Sequence, residues 1–98
     1  MDQLTTPVAS LQDVLAALSD PVRLEMVRRL AATDEPVVCS RLYDGINKST
    51  ASHHFKILRE AGVIERSSQG GQTCQRLRRD DVEQAFPGVL ASIIAAAG

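Results

Sequence analysis

Ninety-eight residues, 44% of them hydrophobic and only 3% aromatic, suffice for one domain with a modest core and no metal or disulfide staples. The most apolar run, Phe86 to Ala97, falls well short of the roughly 20 residues a membrane span needs, and two cysteines are too few for a secreted disulfide scaffold. A net charge of −1 offers no overall attraction to nucleic acid, so any such role has to come from how the charge is distributed.

The N-terminus has no basic region followed by an apolar run and a cleavage site, so no secretion signal is expected. The reducing cytoplasm is the expected compartment. Residues 1–6 are polar and expected to fray. From about Pro7 to Leu18, Val8, Leu11, Val14, Leu15 and Leu18 make an apolar stripe that predicts a first helix. Ser19-Asp20-Pro21 is a sharp restart, with Asp20 as N-cap and Pro21 at the first helical position. A second helix then runs to about Ala32, with Leu24, Val27, Leu30 and Ala31 inward and Arg23, Arg28 and Arg29 outward. Thr33-Asp34-Glu35-Pro36 is a loop, Val37-Val38 a candidate short strand, and Cys39 to Asp44 a short third helix around Leu42 and Tyr43. A tight turn at Gly45 leads straight into the next helix.

That next helix, Asn47 to Gly62, has two unlike faces. Asn47 is a good N-cap, and Gly62 supplies the left-handed residue that ends a helix. Ala51, His54, Phe55 and Leu58 fall on one face and pack inward. Ser49, His53 and Lys56 fall on the other, flanked by Lys48 and Ser52. Short donors and cations gather at the N-terminal end, where the helix dipole and free amides also favour phosphate. A helix that is apolar behind and has donors in front suits the major groove of DNA.

After Gly62 the period changes. Val63 to Ser68 and Thr73 to Arg78 are extended runs separated by Gln69-Gly70-Gly71-Gln72, which reads as a hairpin. Arg66, Gln69, Gln72, Gln75 and Arg76 sit on or near it, as on the wing of a winged helix-turn-helix, able to touch phosphate or the minor groove. Asp80-Asp81-Val82-Glu83 has capping-box spacing, with Asp80 as cap and Glu83 reaching back. The last helix is interrupted at Phe86-Pro87, and Ser92 is the only polar side chain from Phe86 to Ala97. Such a segment is either buried in its own core or forms an interface with a second copy. The dimer is the favoured reading, because a two-fold operator needs two reading helices about one DNA turn (~34 Å) apart. Leu11, Leu15, Phe86, Val89, Leu90, Ile93 and Ile94 are the candidate interface residues.

Charge is distributed as this reading requires. Residues 41–79 carry eight Lys or Arg against Asp44, Glu60 and Glu65, a net of +5, while the remainder carries three Arg against nine acids, a net of −6. Basic charge is thus gathered on the proposed reading helix and the segment after it.

Leu18-Ser19-Asp20-Pro21-Val22-Arg23-Leu24 and Lys48 to Ile64 (KSTASHHFKILREAGVI) together resemble the ArsR/SmtB family of winged-helix repressors over roughly residues 8–95. The first matches the family's L-(A/S)-D-P-x-R-L and the second its S-x-x-T-x-S-x-H-L-x-x-L-R-x-A-G-L-(V/I). The resemblance implies a mostly α fold with a β-hairpin wing, four helices preceding the hairpin and one following it, dimerising through its first and last helices. On that plan one domain spans residues 1–98, with dimerisation helices at about 7–18 and 80–96, the helix-turn-helix at 39–61 and the wing at 63–78. The resemblance also implies a dimer released from its promoter by a ligand, metal or redox event. Repression rather than activation rests on it alone. Metal-sensing members carry Cys-x-Cys-Asp at the third helix, where this chain has Val37-Val38-Cys39-Ser40-Arg41 with one cysteine. No histidine follows Asp80, Asp81 and Glu83, so a tetrahedral site lacks ligands and neither a metal nor a cofactor is expected.

The expected function is a homodimeric, sequence-specific regulator that represses its own or a neighbouring promoter by binding a palindromic duplex, with an unidentified inducer and no membrane partner. Candidate DNA contacts are Lys48, Ser49, Thr50, Ser52, His53 and Lys56 on the helix and Arg66, Gln69, Gln72 and Arg76 on the wing. Lys48 and Lys56 would chiefly bind phosphate, and Ser49, Ser52 and His53 are the candidates for base edges. His54 reads as a hydrogen-bonded core or interface histidine, and Arg59 with Glu60 as an exposed pair worth well under ~1 kcal/mol. Two alternatives remain at this point: a redox response through Cys39 and Cys74, which otherwise serve as inert small hydrophobes, or a winged helix that binds only proteins. No Gly-x-Ser-x-Gly elbow or phosphate-cradling glycine loop supports an enzyme.

Overall fold

The computed structural model describes residues 6–98. Its elements in order are α1 (Leu11–Leu18), α2 (Pro21–Ala31), β1 (Val37–Val38), a single 3-10 turn (Cys39–Arg41), α3 (Lys48–Glu60), β2 (Ile64–Gln69), β3 (Gln72–Leu77), α4 (Arg79–Ala85) and α5 (Val89–Ala97). The three strands form one antiparallel sheet in the order β1-β3-β2. Residues 1–5, expected to fray, lie outside the described residues; the Thr6 carbonyl already accepts from the Arg78 guanidinium.

Local chemistry sets most boundaries. The first helix begins at Leu11 rather than near Pro7, because the Ser10 hydroxyl accepts from the Asp13 amide at 3.2 Å and caps it there. Pro7 to Ala9 instead lie against the end of α3, where the Ala9 amide donates to the Ala61 carbonyl at 3.0 Å. Gly62 permits this approach: its φ is +79°, and a Cβ on it would stand 2.6 Å from both the Pro7 carbonyl oxygen and the Val8 Cα. Asp20 caps α2 as expected, its carboxylate accepting from the Val22 and Arg23 amides at 2.9 and 3.1 Å ahead of Pro21.

Two expected elements differ. The third helix, expected over Cys39 to Asp44, is one 3-10 turn closed by the Leu42 amide on the Cys39 carbonyl. Strand β1 holds the preceding residues, with Val37 opposite Gln75 and Val38 opposite Cys74, so the chain has too little length left before Gly45 to propagate a helix. The capping box at Asp80 does not form. The Arg78 amide bonds to the Val63 carbonyl and the helix starts at Arg79, which puts Asp81 where Glu83 was expected. Asp81 then holds the buried Arg78 guanidinium at 3.0 Å, while Glu83 accepts from the Gly88 amide at the break before α5. The interruption at Phe86-Pro87 is present and splits the final helix in two, with Gly88 at φ +83° starting α5.

Val14 and Leu18 of α1, Met26 and Leu30 of α2, Phe55 and Leu58 of α3 and Val82 of α4 meet in one core. Burying each of the larger aliphatic side chains contributes about 1.5–3 kcal/mol. Leu90 belongs to this core at 3% exposure, which corrects its assignment to an interface: the side chain is already used within its own chain. Leu11 and Leu15 are 37% and 43% exposed, whereas Phe86, Val89, Ile93 and Ile94 are half-buried. No described helix is long and apolar enough to cross a membrane.

Candidate nucleic-acid interface

Helix α3 is held from three sides with its polar ridge left free. The Asn47 side chain accepts from the Thr50 amide at 2.8 Å and starts it. Ala51, Phe55 and Leu58 are buried, and Phe55 meets the Tyr43 ring edge-on at 6.2 Å between centroids. Ahead of it, Arg29 donates to Asp44 at 2.7 Å and to the Arg41 carbonyl at 3.3 Å, which ties the turn between the helices to α2. Glu25 grips both Arg28 and Arg29 from the same helix, and hydrogen bonds from these two hold its carboxyl down at about 2.

His54 is the third anchor. Its Nδ1 lies 3.0 Å from Arg23 Nη1 and 3.8 Å from the Asp20 carboxylate, and Arg23 Nε donates to the Ala17 carbonyl at 2.6 Å. With Nδ1 accepting from a guanidinium, the ring proton sits on Nε2. Burial alone would push the Asp20 carboxyl up, but the amides of Arg23 and Val22 and the charge of Arg23 outweigh it and hold it below its ordinary value. The Asp20-Pro21-Val22-Arg23 run therefore does more than start α2: it locks the α1–α2 corner onto α3.

On the opposite face Lys48, Ser49, Thr50, Ser52, His53 and Lys56 are all exposed. The wing rises beside them. Gly70 and Gly71 have φ of +58° and +83°, the values that a two-residue type I′ turn needs at both central positions, and Gln69 pairs with Gln72 across it. Arg66 is opposed to Gln75 and Glu65 to Arg76, so successive pairs point to opposite faces of the hairpin. Arg66 shares a groove with α3, whereas Arg76 is bound by Glu65 at 2.8 Å on the other face. The fold thus brings Arg66 to the reading helix and turns Arg76 away from it. Gln75, placed on the wing by sequence, is buried at 1% exposure.

Pairing sorts the cations sharply. Arg23, Arg28, Arg29, Arg76, Arg78 and Arg79 each donate to an acceptor within the protein. Among the described residues the side chains left without an acceptor are Arg41, Lys48, Lys56, Arg59 and Arg66, all on the 3-10 turn, α3 or β2. The sequence counts Arg41 and Arg59 in the basic segment, but neither is among the expected DNA contacts. Arg59 does not pair with Glu60, because adjacent helical residues do not face each other. Cys39 and Cys74 are both free thiols. Gln75 reaches Cys39, and Cys74 is its chain neighbour, so the two sulfurs lie on opposite faces of β3.

Comparison with known proteins agrees with this geometry. A helix-turn-helix domain family model matches residues 18–67. The chain is 34% identical over 82 residues, 82% of each chain, to the uncharacterized HTH-type transcriptional regulator YceK of Bacillus subtilis (strain 168). Among solved structures it is similar to the transcriptional repressor BigR from Xylella fastidiosa, at TM-score 0.63, 27% identity and 84% coverage of both chains. It is also similar to the homodimeric winged helix-turn-helix DNA-binding domain of Mb0332 from Mycobacterium bovis, a possible ArsR-family regulator, at TM-score 0.68 and 25% identity, covering 88% of this chain and 78% of that one. The chain belongs to the helix-turn-helix transcriptional regulators and is a winged helix-turn-helix protein of the ArsR type.

Proposed function

We propose that the protein is a homodimeric, cytoplasmic repressor that binds a palindromic operator in its own or a neighbouring promoter and leaves it on an inducing signal. The observation that carries the DNA-binding part is the segregation of charge. Arg28, Arg29, Arg76, Arg78 and Arg79 are paired with carboxylates within the fold, whereas among the described residues Lys48, Lys56, Arg59 and Arg66, on or beside the reading helix, have no acceptor. Unpaired Lys and Arg on one face provide the electrostatic footprint of a phosphate backbone. Lys48 and Lys56 would hold phosphates, Ser49, Ser52 and His53 would read base edges beside Thr50, and Arg66, Gln69 and Gln72 would extend contact from the wing. Arg76, engaged by Glu65, is left out of this set.

Dimerisation is supported by the exposed Leu11 and Leu15 on α1 and the apolar, Ala-rich outer side of α5. The Mycobacterium bovis neighbour is a homodimer and the Xylella fastidiosa neighbour a repressor, and both properties are proposed for this chain by likeness. The test combines a gel shift on the region upstream of the gene, against a scrambled duplex, with sedimentation of the free protein. Retarded specific duplex and a dimeric sedimentation mass are expected. A protein that binds neither duplex at low salt would refute the DNA reading and favour a protein-binding winged helix.

A further inference from the structure

Between α3 and the wing runs a groove of about 530 Å³, lined by Ser52, Phe55 and Arg59 of α3, by Arg66 and Gln75 of the sheet and by Cys39. Arg66 and Gln75 oppose each other on neighbouring strands, so both side chains lie on the sheet face that looks towards α3. Among the described residues no carboxylate lines this groove. Arg59 is half-buried there, and burial first, then repulsion from Arg66, holds its guanidinium below its ordinary pKa. A half-buried guanidinium beside an exposed like charge favours an anion between the two.

The buried Gln75 amide adds an independent sign. Its Nε2 donates to Cys39 Sγ at 3.6 Å, a weak acceptor, and its Oε1 has no partner among the described residues. Turning the amide over lets the Cys39 thiol donate to Oε1 and places an N–H on the side now orphaned. The orphaned position is closed to solvent, so an acceptor seated in the groove would satisfy it only after the side chain turns outward.

We propose that this groove seats one phosphate of the DNA backbone, clamped between Arg59 and Arg66 above Gln75. The proposal rests on the DNA-binding reading above. A reading helix in the major groove and a wing towards the next minor groove must straddle the backbone strand between them. Guanidinium groups are matched to that task, since their planar forks donate in pairs to phosphate oxygens.

The test measures affinity of the full-length protein for the upstream duplex and a scrambled duplex across a series of KCl concentrations. Wild type is compared with Arg59→Met, Arg66→Met, the double variant and Arg59→Lys; methionine keeps the apolar stem, and melting curves report folding. The double variant is expected to lower the slope of log affinity on log salt by about 0.9, which is a loss of roughly eightfold at ~0.1 M salt on both duplexes. The single losses are expected to be non-additive, because both side chains serve one phosphate. Arg59→Lys is expected to keep the wild-type slope. An unchanged slope in the double variant, or single losses that add to about two charges, would overturn the clamp. Wild type binding normally beside an unaltered double variant would sink the clamp alone; wild type binding no DNA would sink the reading beneath it.

Discussion

The packing at Gly62 allows a prediction whose two components can be separated. Alanine there must adopt φ near +79°, which costs about 1–2 kcal/mol for an L-residue. Its Cβ would also stand 2.6 Å from the Pro7 carbonyl oxygen and from Val8 Cα, both backbone atoms. Forcing them apart is overpacking worth about 1–3 kcal/mol, and it threatens the Ala9–Ala61 hydrogen bond that holds the N-terminal segment to α3. Gly62→Ala should therefore cost roughly 2–5 kcal/mol of a total stability of about 5–15 kcal/mol. Gly45 is the internal control, because its φ is +74° but nothing lies within 4 Å of where a methyl carbon would stand. Gly45→Ala should lose only the conformational part, about 1–2 kcal/mol. Thermal and denaturant unfolding followed by circular dichroism reads both, and 1 kcal/mol is worth about 4–8 °C at this size. Equal destabilisation by the two substitutions would refute the claim that Pro7 and Val8 pack against Gly62.

Other outcomes follow from the site and the surface. Lys56→Ala should weaken binding to every sequence and lower the salt slope by about 0.9, whereas His53→Ala should cost about 1–3 kcal/mol at one operator position and relax preference there. A binding-site selection with unchanged preference would remove His53 from the reading set. Leu15→Asp should give folded monomers with poor operator affinity, while Leu90→Asp should unfold the chain, because Leu15 is 43% and Leu90 3% exposed. A dimer persisting in sedimentation of the Leu15 variant would place the interface elsewhere. Glu25 has its carboxyl lowered from 4.5 to about 2 by hydrogen bonds from Arg28 and Arg29, so its contribution is complete above about 4.5 and lost as pH falls through about 2. With Glu25 37% exposed, that contribution is at most ~1 kcal/mol. The gap in melting temperature between wild type and Glu25→Gln should close across that window, and a constant gap would refute the assignment.

The parts of this protein legible in sequence are those decided by neighbours along the chain. Asp20-Pro21, Asn47 and Gly62 mark helix ends because caps and left-handed glycines act within one turn. Gly70-Gly71 specifies its hairpin for the same reason. The exposed ridge of Ser49, Ser52, His53 and Lys56 follows from helical period alone. Where two local readings competed, distant partners chose: β1 pairs with β3 and leaves the third helix one turn, and the Arg78–Val63 hydrogen bond starts α4 before Asp80 can cap it.

Charge shows the same division. Composition placed a surplus of cations between residues 41 and 79, but it could not say which were free, since a salt bridge depends on approach in space. Only the folded chain pairs Arg76 with Glu65 and Arg79 with Asp34 while leaving Arg59 and Arg66 on a groove whose described lining residues include no carboxylate. Leu90 and Gln75 likewise looked available on pattern and are buried by elements far from them in sequence. Sequence by itself determined the start of α2, both ends of α3, the wing and the polar ridge, because hydrogen bonds within a turn and side-chain periodicity are short-range. Tertiary structure decided which charges and apolar side chains remain for a partner, because burial and ion pairing are settled between segments that meet only when the chain folds.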